Sequence, residues 1–452
     1  MNIESTIKKA HLAQEKLNCF VTIIDDAKEG LPIAIKDNFS TKGILSTGGS
    51  NTLKDYVPFF NATVAEKLIA AGYTNIGKTT MDELGMGATG TTGHTGVVRN
   101  PWNTECMTAG SSAGSAAIVA AGVVPYAVGS DTGDSIRKPA AWCGIVGYKP
   151  TYGLVSRYGL FPFASSLDHV GVFARNVKDA AKIIDVIKGI DENDMTSWDS
   201  SNINLEASLN DNVKSKKLFF IKEICDINEY PNPSDELKTV LKEFHETLEK
   251  CQNIGIEIEE VSIDKRILSA ILPTYITLSC AEATSNYSNL TGIIFGPRGE
   301  GKTIDEQIKD HRTKGFCSLI KRRFIIGSFV LQSENQEKYF KNAQRARRVI
   351  VDTINKLFDS FDGLLLPCSM GGAPKIDDNR KLTLEEEVLE NNLVIGNFGG
   401  FPSITIPNGF VNDLPTGINI TGKIKDDANV LNIAHNIEST LGYKDQIAKG
   451  WE

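Results

Sequence analysis

Apolar and polar positions repeat with two periods along this chain, and the order in which the periods alternate predicts an α/β fold. Residues 1–18 carry the 3.6-residue repeat of an amphipathic helix. Cys19–Ile24 and Leu31–Lys36 read as strands, and Asn75–Lys78 as a third. Between them, Thr63-Val-Ala-Glu66 has the spacing of a capping box and predicts a helix that stops at Gly72. A helix over about Ser115–Ala121 ends at Gly122 and feeds a strand over Val123–Val128.

Past about Asp179 the texture changes. Residues 190–215 are polar and rich in Asn, Ser and Asp, and 233–356 is dominated by helical patterns, with a glycine-rich loop at Gly292–Lys302. Strand signals return at Gly363–Leu366, Ser403–Ile406 and Gly417–Ile420, and a helix over Asp427–Leu441 closes the pattern. The expectation is one domain over 1–452, with a sheet completed by the C-terminal third. A mostly helical insertion at 190–356 is expected to pack outside that sheet.

The composition, 41% hydrophobic with 23% charged and 40 glycines, is that of a globular enzyme. The longest apolar stretch, Ala116–Val128, is broken by Gly122 and Pro125 and is short for a membrane span. The N-terminal segment lacks the basic-then-apolar order of an export signal, so a cytoplasmic protein with no membrane attachment is expected. Eight cysteines without a C-x-x-C pair point to reduced thiols and argue against a metal site. The net charge of −8 makes the chain a poor polyanion binder, so any nucleic acid is expected to be held by a partner.

The chemistry concentrates between Thr108 and Thr151. A loop AGSSAGSA precedes one helix, and GSDTGDSIRKPAAWCGIVGYKPT carries a second exposed serine, with no histidine near either. Upstream, Lys36 ends the apolar run LPIAIK, where burial disfavours the ammonium form and makes a neutral amine available as a general base. Competing readings lack their context. Gly110–Gly114 matches G-x-S-x-G with Ser112 central, but no strand precedes it. Ser135-Ile-Arg-Lys138 matches S-x-x-K without its companion motifs, and no G-K-[ST] follows the glycines to make a phosphate loop.

PIAIKDNF, MDELGMG, RNPWN, the serine-rich block, GYKPTYGLVSRYGLFPFASSLDHVG and GGFPSITIPNGF with GINITG together resemble the amidase signature hydrolases across nearly the whole chain. SRYGLFPFASSLDHVG and IKRRFIIGSF are most similar to the A subunits of tRNA-dependent amidotransferases. The resemblance implies a large mixed β-sheet covered by helices on both faces. It also implies a Ser-cisSer-Lys triad, with Ser135 as nucleophile, Ser111 as the bridging serine after a cis peptide, and Lys36 as base. Lys36 precedes Ser111 by 75 residues and Ser135 follows it by 24, in the family's spacing.

Backbone N–H groups of Thr132, Gly133 and Asp134 would form the oxyanion hole. Arg323, with Arg322 as the alternative, would hold a substrate α-carboxylate, and Glu390 an α-amino group. Such a protein hydrolyses glutamine or asparagine and passes ammonia to a Glu-tRNA(Gln) or Asp-tRNA(Asn) held by a B subunit. A small C subunit joins them. The chain itself would need no cofactor, since ATP and magnesium belong to the partner.

Four departures stand out. Ala109, Ala113 and Asp134 replace family glycines, and Phe295 falls where a substrate-contacting tyrosine is expected. A carboxylate beside the nucleophile would oppose oxyanion charge unless it turns away or pairs with Lys138 or Arg137. It therefore keeps two alternatives open, a stand-alone amidase for small amides and a catalytically weak scaffold subunit. Arg137 is expected to anchor the nucleophile loop, Asp131 to bond loop backbone, and His94 and His169 to be structural.

Overall fold

The computed structural model describes residues 2–452. Its strands are β1 (Phe20–Ile23), β2 (Leu31–Lys36), β3 (Tyr73–Thr79), β4 (Tyr126–Asp131), β5 (Val146–Lys149) and β6 (His169–Ala174), followed by β7 (Lys217–Ile221), β8 (Glu257–Val261), β9 (Gly363–Pro367), β10 (Ser403–Val411) and β11 (Leu414–Thr421). They form one eleven-stranded sheet in the order β1-β3-β2-β4-β6-β5-β10-β11-β9-β7-β8. β3, β2 and β4 run parallel, as do β9, β7 and β8, and the centre from β4 through β6, β5, β10 and β11 to β9 is antiparallel. The sheet is therefore mixed, with a parallel group on either side of an antiparallel middle and β1 added antiparallel to β3 at one edge.

Both faces are covered, as the alternation of side chains requires. On β2, Ile33 and Ile35 enter a core with the helices Thr63–Ala70 and Val177–Ile187, while Ala34 enters a second core with the helices Ile3–Leu17 and Ala113–Ala120. Lys36 shares the parity of Ala34, so its side chain is directed to the face that the helix Ala113–Ala120 covers. Parallel pairing brings the ends of β2, β3 and β4 to the same edge, and the loops that follow them meet there.

Three local expectations change. Thr63 does not cap its helix: Ala62 is the N-cap without a side-chain bond, and the Thr63 hydroxyl instead donates to Asp191 Oδ2 at 2.5 Å. β5 and β6, absent from the sequence reading, sit at the centre of the sheet. Their glycines serve close approach, since a Cβ on Gly147 would stand 2.7 Å from the Ile136 carbonyl oxygen and 2.6 Å from Ala140 Cβ. The stretch 190–356 is mostly helical, yet it also supplies β7 and β8, so it extends the sheet to its far edge rather than only packing outside it. β8, with the sequence EIEEV, is that edge, and its glutamates discourage further pairing.

β10 and β11 are joined by Asn412 and Asp413, both with positive φ, in the two-residue turn that such residues favour. All eight cysteines are unpaired, and seven are buried. The run Lys265–Asn286 is long and apolar enough to cross a membrane by composition, but its apolar residues pack within the fold against the helices Ser318–Leu331 and Asn342–Phe358.

The contact between the helices Ile271–Asn286 and Ser318–Leu331 depends on Gly327. A Cβ there would lie 2.1 Å from both the Cys280 carbonyl oxygen and Thr284 Oγ1. Gly327→Val is expected to destabilise the protein by about 1–3 kcal/mol through overpacking. Urea unfolding would read this as a lowered midpoint, and an unchanged midpoint would mean that the two helices separate without cost.

Candidate active site

Lys36 is fully buried at the end of β2 and meets four oxygens. Its Nζ lies 2.8 Å from Ser111 Oγ, 2.8 Å from Ser112 Oγ, 2.9 Å from Ser130 Oγ and 3.3 Å from the Ser130 carbonyl oxygen. Burial lowers its pKa to about 7 despite the opposing charges of Asp82, Asp131 and Asp168. Near neutrality the amine is therefore available without its proton.

Hydrogen counting then assigns roles within this shell. The Ser112 hydroxyl donates to the Ser130 carbonyl at 3.0 Å, so its oxygen accepts from Lys36. Ser130 Oγ already accepts from Asn38 Nδ2 at 3.0 Å and takes the second amine N–H. The lone pair of the neutral amine is left for the Ser111 hydroxyl proton. Ser112 is thus committed to the lysine shell, which removes it as a free nucleophile.

Ser111 follows a cis Gly110–Ser111 peptide. Its loop is held by Asp82, which accepts hydrogen bonds from the backbone N–H groups of Gly90, Thr91 and Thr92, while the Asp82 N–H donates to the Ser111 carbonyl at 3.2 Å. Ala109 sits at φ +58°, fully buried, where an alanine costs about 1–2 kcal/mol relative to a right-handed backbone. The glycine replaced at this position would relieve that strain.

Ser135 lies in the loop between β4 and the helix Arg137–Cys143. The Ser112 N–H donates to the Ser135 carbonyl at 3.3 Å, which brings the two serine loops into contact. Arg137, fully buried, fixes the nucleophile loop: its guanidinium meets Asp131 Oδ1 at 3.0 Å and Oδ2 at 3.1 Å, the Gly133 carbonyl at 2.8 Å and Asn397 Oδ1 at 2.6 Å. Burial alone would raise the Asp131 carboxyl, but Arg137 holds it well below the usual carboxylate range. Asp131 also accepts the Ile136 N–H at 3.0 Å. By contrast, the backbone N–H groups of Thr132, Gly133, Asp134 and Ser135 donate to no partner among the described residues. They are free to receive an oxyanion.

The Asp134 side chain turns toward Lys138, with Oδ2 3.5 Å from Nζ. Burial raises its carboxyl above the ordinary value and Lys138 draws it back. Lys138 in turn meets Glu390 Oε2 at 2.8 Å and also donates to the Glu390 carbonyl. Arg322 is exposed, while the neighbouring Arg323 faces inward, with its guanidinium 5.7 Å from the Phe163 ring centroid and Nε and Nη1 buried without acceptors. Of the two arginines, Arg323 is the one placed to hold an anion.

Sequence reasoning missed Tyr275, which lies over the loop: a Cβ on Gly133 would stand 2.9 Å from its ring and 3.0 Å from its hydroxyl oxygen. Its phenol feels the charges of both Arg323 and Asp134. Phe295, at the position expected for a tyrosine, instead lines an apolar cavity of about 470 Å³ with Tyr56, Leu160 and Phe161. Asp168 and His169 form no dyad. Asp168 accepts from Thr132 Oγ1 at 2.6 Å and is raised by burial to about 7, whereas His169 Nδ1 meets the Leu167 carbonyl at 2.6 Å.

Comparison with known proteins identifies the family. The Amidase family model matches residues 2–431. The chain is 38% identical to the A subunit of the glutamyl-tRNA(Gln) amidotransferase of Methanosarcina mazei, over 96% of its own length and 92% of that protein's. It is 40% identical to the protein of the same name from Lysinibacillus sphaericus, covering 94% and 85% of the two chains. The crystal structure of the corresponding Thermotoga maritima protein superposes with a TM-score of 0.80 at 34% identity, over 97% of this chain and 94% of that one. A family model that matches residues 2–431, with relatives 38–40% identical over nearly the whole chain and a solved structure that superposes at a TM-score of 0.80, places this chain in the amidase family.

Proposed function

We propose that this chain is the glutamine-hydrolysing subunit of a tRNA-dependent amidotransferase, working through Lys36, Ser111 and Ser135. The observation that carries the reading is Lys36, fully buried, held near pKa 7 and within 2.8 Å of Ser111. Ser135 Oγ attacks the side-chain amide carbon, its proton passes to Ser111 Oγ, and the Ser111 proton passes to Lys36. The negative oxygen of the tetrahedral intermediate is received by the free N–H groups of residues 132–134. Collapse returns the proton to the departing nitrogen and releases ammonia, leaving an acyl ester on Ser135. Water, activated by the same relay, hydrolyses that ester.

Arg323 holds the α-carboxylate of the substrate, since a half-buried guanidinium whose Nε and Nη1 are buried without acceptors fits a carboxylate better than any neutral ligand. Asp134 does not disable the site in this reading, because Lys138 draws its carboxylate to one side. The names of the relatives support a multi-subunit assembly, for which the cytoplasm is the proposed compartment. There a B subunit would hold the charged tRNA and use ATP and magnesium to activate it, and a small C subunit would complete the complex. The net charge of −8 suits a chain that leaves the tRNA to its partner.

Ammonia release from glutamine, measured on the chain alone and with its B and C subunits, is expected to rise on assembly. Ser135→Ala or Lys36→Ala is expected to lower it by about 10³-fold or more. In the wild type, kcat/KM should rise with pH through about 7, because the neutral form of Lys36 is the active one and populates above its pKa. A flat profile between about pH 6 and 8 would remove Lys36 as the base. Arg323→Gln is expected to raise KM for glutamine by about 10- to 100-fold, and an unchanged KM would show that the α-carboxylate binds elsewhere.

A further inference from the structure

Outside the catalytic centre, the apolar cavity of about 470 Å³ that Phe295 lines has a chemistry of its own. None of its fourteen lining residues is charged, in a chain that is 23% charged, and six of them are aromatic. Lys36, Ser111, Ser135 and Arg323 are not among them, so the cavity is not the amide site. Its volume is that of a small-molecule pocket. We infer that it is a second binding site, which takes a small neutral aromatic compound bearing a hydroxyl or a similar hydrogen-bonding group. This goes beyond the glutamine reading and does not rest on it.

The walls select the ligand. An anion or a zwitterion drawn into this cavity would lose its hydration and meet no counter-charge, which excludes glutamine and other charged metabolites. Aromatic rings fit, because the lining rings offer both edges and faces: Tyr56 stands 6.1 Å from Phe295 at 81° and 6.1 Å from Phe161 at 56°. The polar handle follows from groups that have no other use. The hydroxyl of Ser40, a residue only 2% exposed, and the hydroxyl of Tyr56 make no hydrogen bond among the described residues, nor does the side-chain amide of Asn289. A ligand hydroxyl, which donates and accepts, satisfies two of them at once. Phenylalanine at 295, where the family resemblance leads one to expect tyrosine, keeps that wall free of a competing hydroxyl. The cavity is also preformed. The Ser40 N–H donates to the Gly159 carbonyl at 2.8 Å and the Phe161 N–H to the Asn38 carbonyl at 2.9 Å, with Phe39 and Leu160 paired between them, so one wall is tied to the end of β2. The Tyr56 N–H donates to the Leu53 carbonyl at 2.9 Å, which fixes the backbone that carries the second hydroxyl. A ligand therefore enters without first ordering its site, past Phe59, which is 81% exposed at the rim.

The test uses the full chain, alone and assembled with its B and C subunits, and 2-naphthol as the probe. Two relatives of the probe accompany it, 2-methylnaphthalene without the hydroxyl and 2-naphthoate with a charge. Methyl NMR of leucine-labelled protein locates the ligand, because Leu53, Leu160 and Leu290 all line the cavity. 2-Naphthol is expected to shift their methyl resonances with a dissociation constant below about 1 mM, and 2-naphthoate to bind at least about 10-fold more weakly. Ser40→Ala combined with Tyr56→Phe, which removes only the two oxygens, is expected to weaken 2-naphthol by about 10-fold and 2-methylnaphthalene by less than about 2-fold. Thermal melting verifies that the variant is folded, and the charge comparison in the wild type decides independently of any variant. Shifts that spare these leucines, equal binding of 2-naphthoate, or an equal loss for both neutral compounds would overturn the assignment. Loss of 2-naphthol binding on assembly would also overturn it, by showing that a partner subunit fills the cavity. Ammonia release from glutamine is read separately, so a failure here leaves the glutamine reading standing.

Discussion

Burial of a single lysine is the constraint from which the rest of the site follows. An ammonium taken fully out of water must either find a counter-charge in contact or give up its proton. Lys36 contacts only serine oxygens, and the carboxylates that act on it, Asp82, Asp131 and Asp168, do so without an ion pair. Asp82 is committed to the backbone of residues 90–92, Asp131 to Arg137, and Asp168 to Thr132 and the Ala164 N–H. Each stabilises a loop of the site while adding enough negative potential to keep the lysine near pKa 7 instead of far below it. Base strength and loop architecture are thus set by the same residues.

The nucleophile side depends on the opposite arrangement. Arg137 and Asp131 are both fully excluded from solvent, and their pairing is stable only because every remaining donor is also satisfied, by Gly133, Leu393, Asn397 and Ser403. Leu393, Asn397 and Ser403 come from the C-terminal third, so the loop bearing Ser135 is fastened to a part of the chain more than 250 residues away. The antiparallel centre of the sheet, where β5 pairs with β10, makes that connection possible. The geometry of the serine loop is therefore a property of the whole sheet and not of the β4-loop-helix segment alone.

Much of this was legible in the sequence, for reasons that differ from residue to residue. Lys36 stood out because a lysine closing an apolar strand run has few bland explanations, and the paired Gly/Ser loops supplied the hydroxyls it needed. β5 and β6 are not legible in the sequence, since Gly147 and Gly171 interrupt their apolar runs and the close approach of the neighbouring helix and strand that requires them is set only by the fold. The capping box at Thr63 failed because Asp191, 128 residues away, competes for the hydroxyl. Tyr275 lies in the apolar run ILPTYITL, which carries no local sign of a site, and only the fold brings it over Gly133. Glu390 stands within an acidic run, but its pairing with Lys138 depends on a contact across 252 residues that no local pattern encodes.

The proton relay requires Lys36 to be a neutral base, and the most direct measurement is its own titration. Heteronuclear NMR of the folded protein, with the Lys36 ε-methylene resonance assigned by its loss in Lys36→Met, would follow the amine through the pH range. A midpoint near the value of about 7 that burial imposes is the predicted result. A midpoint at the ordinary lysine value of about 10.4 would mean that the amine is charged at neutral pH, and would contradict the relay at its base.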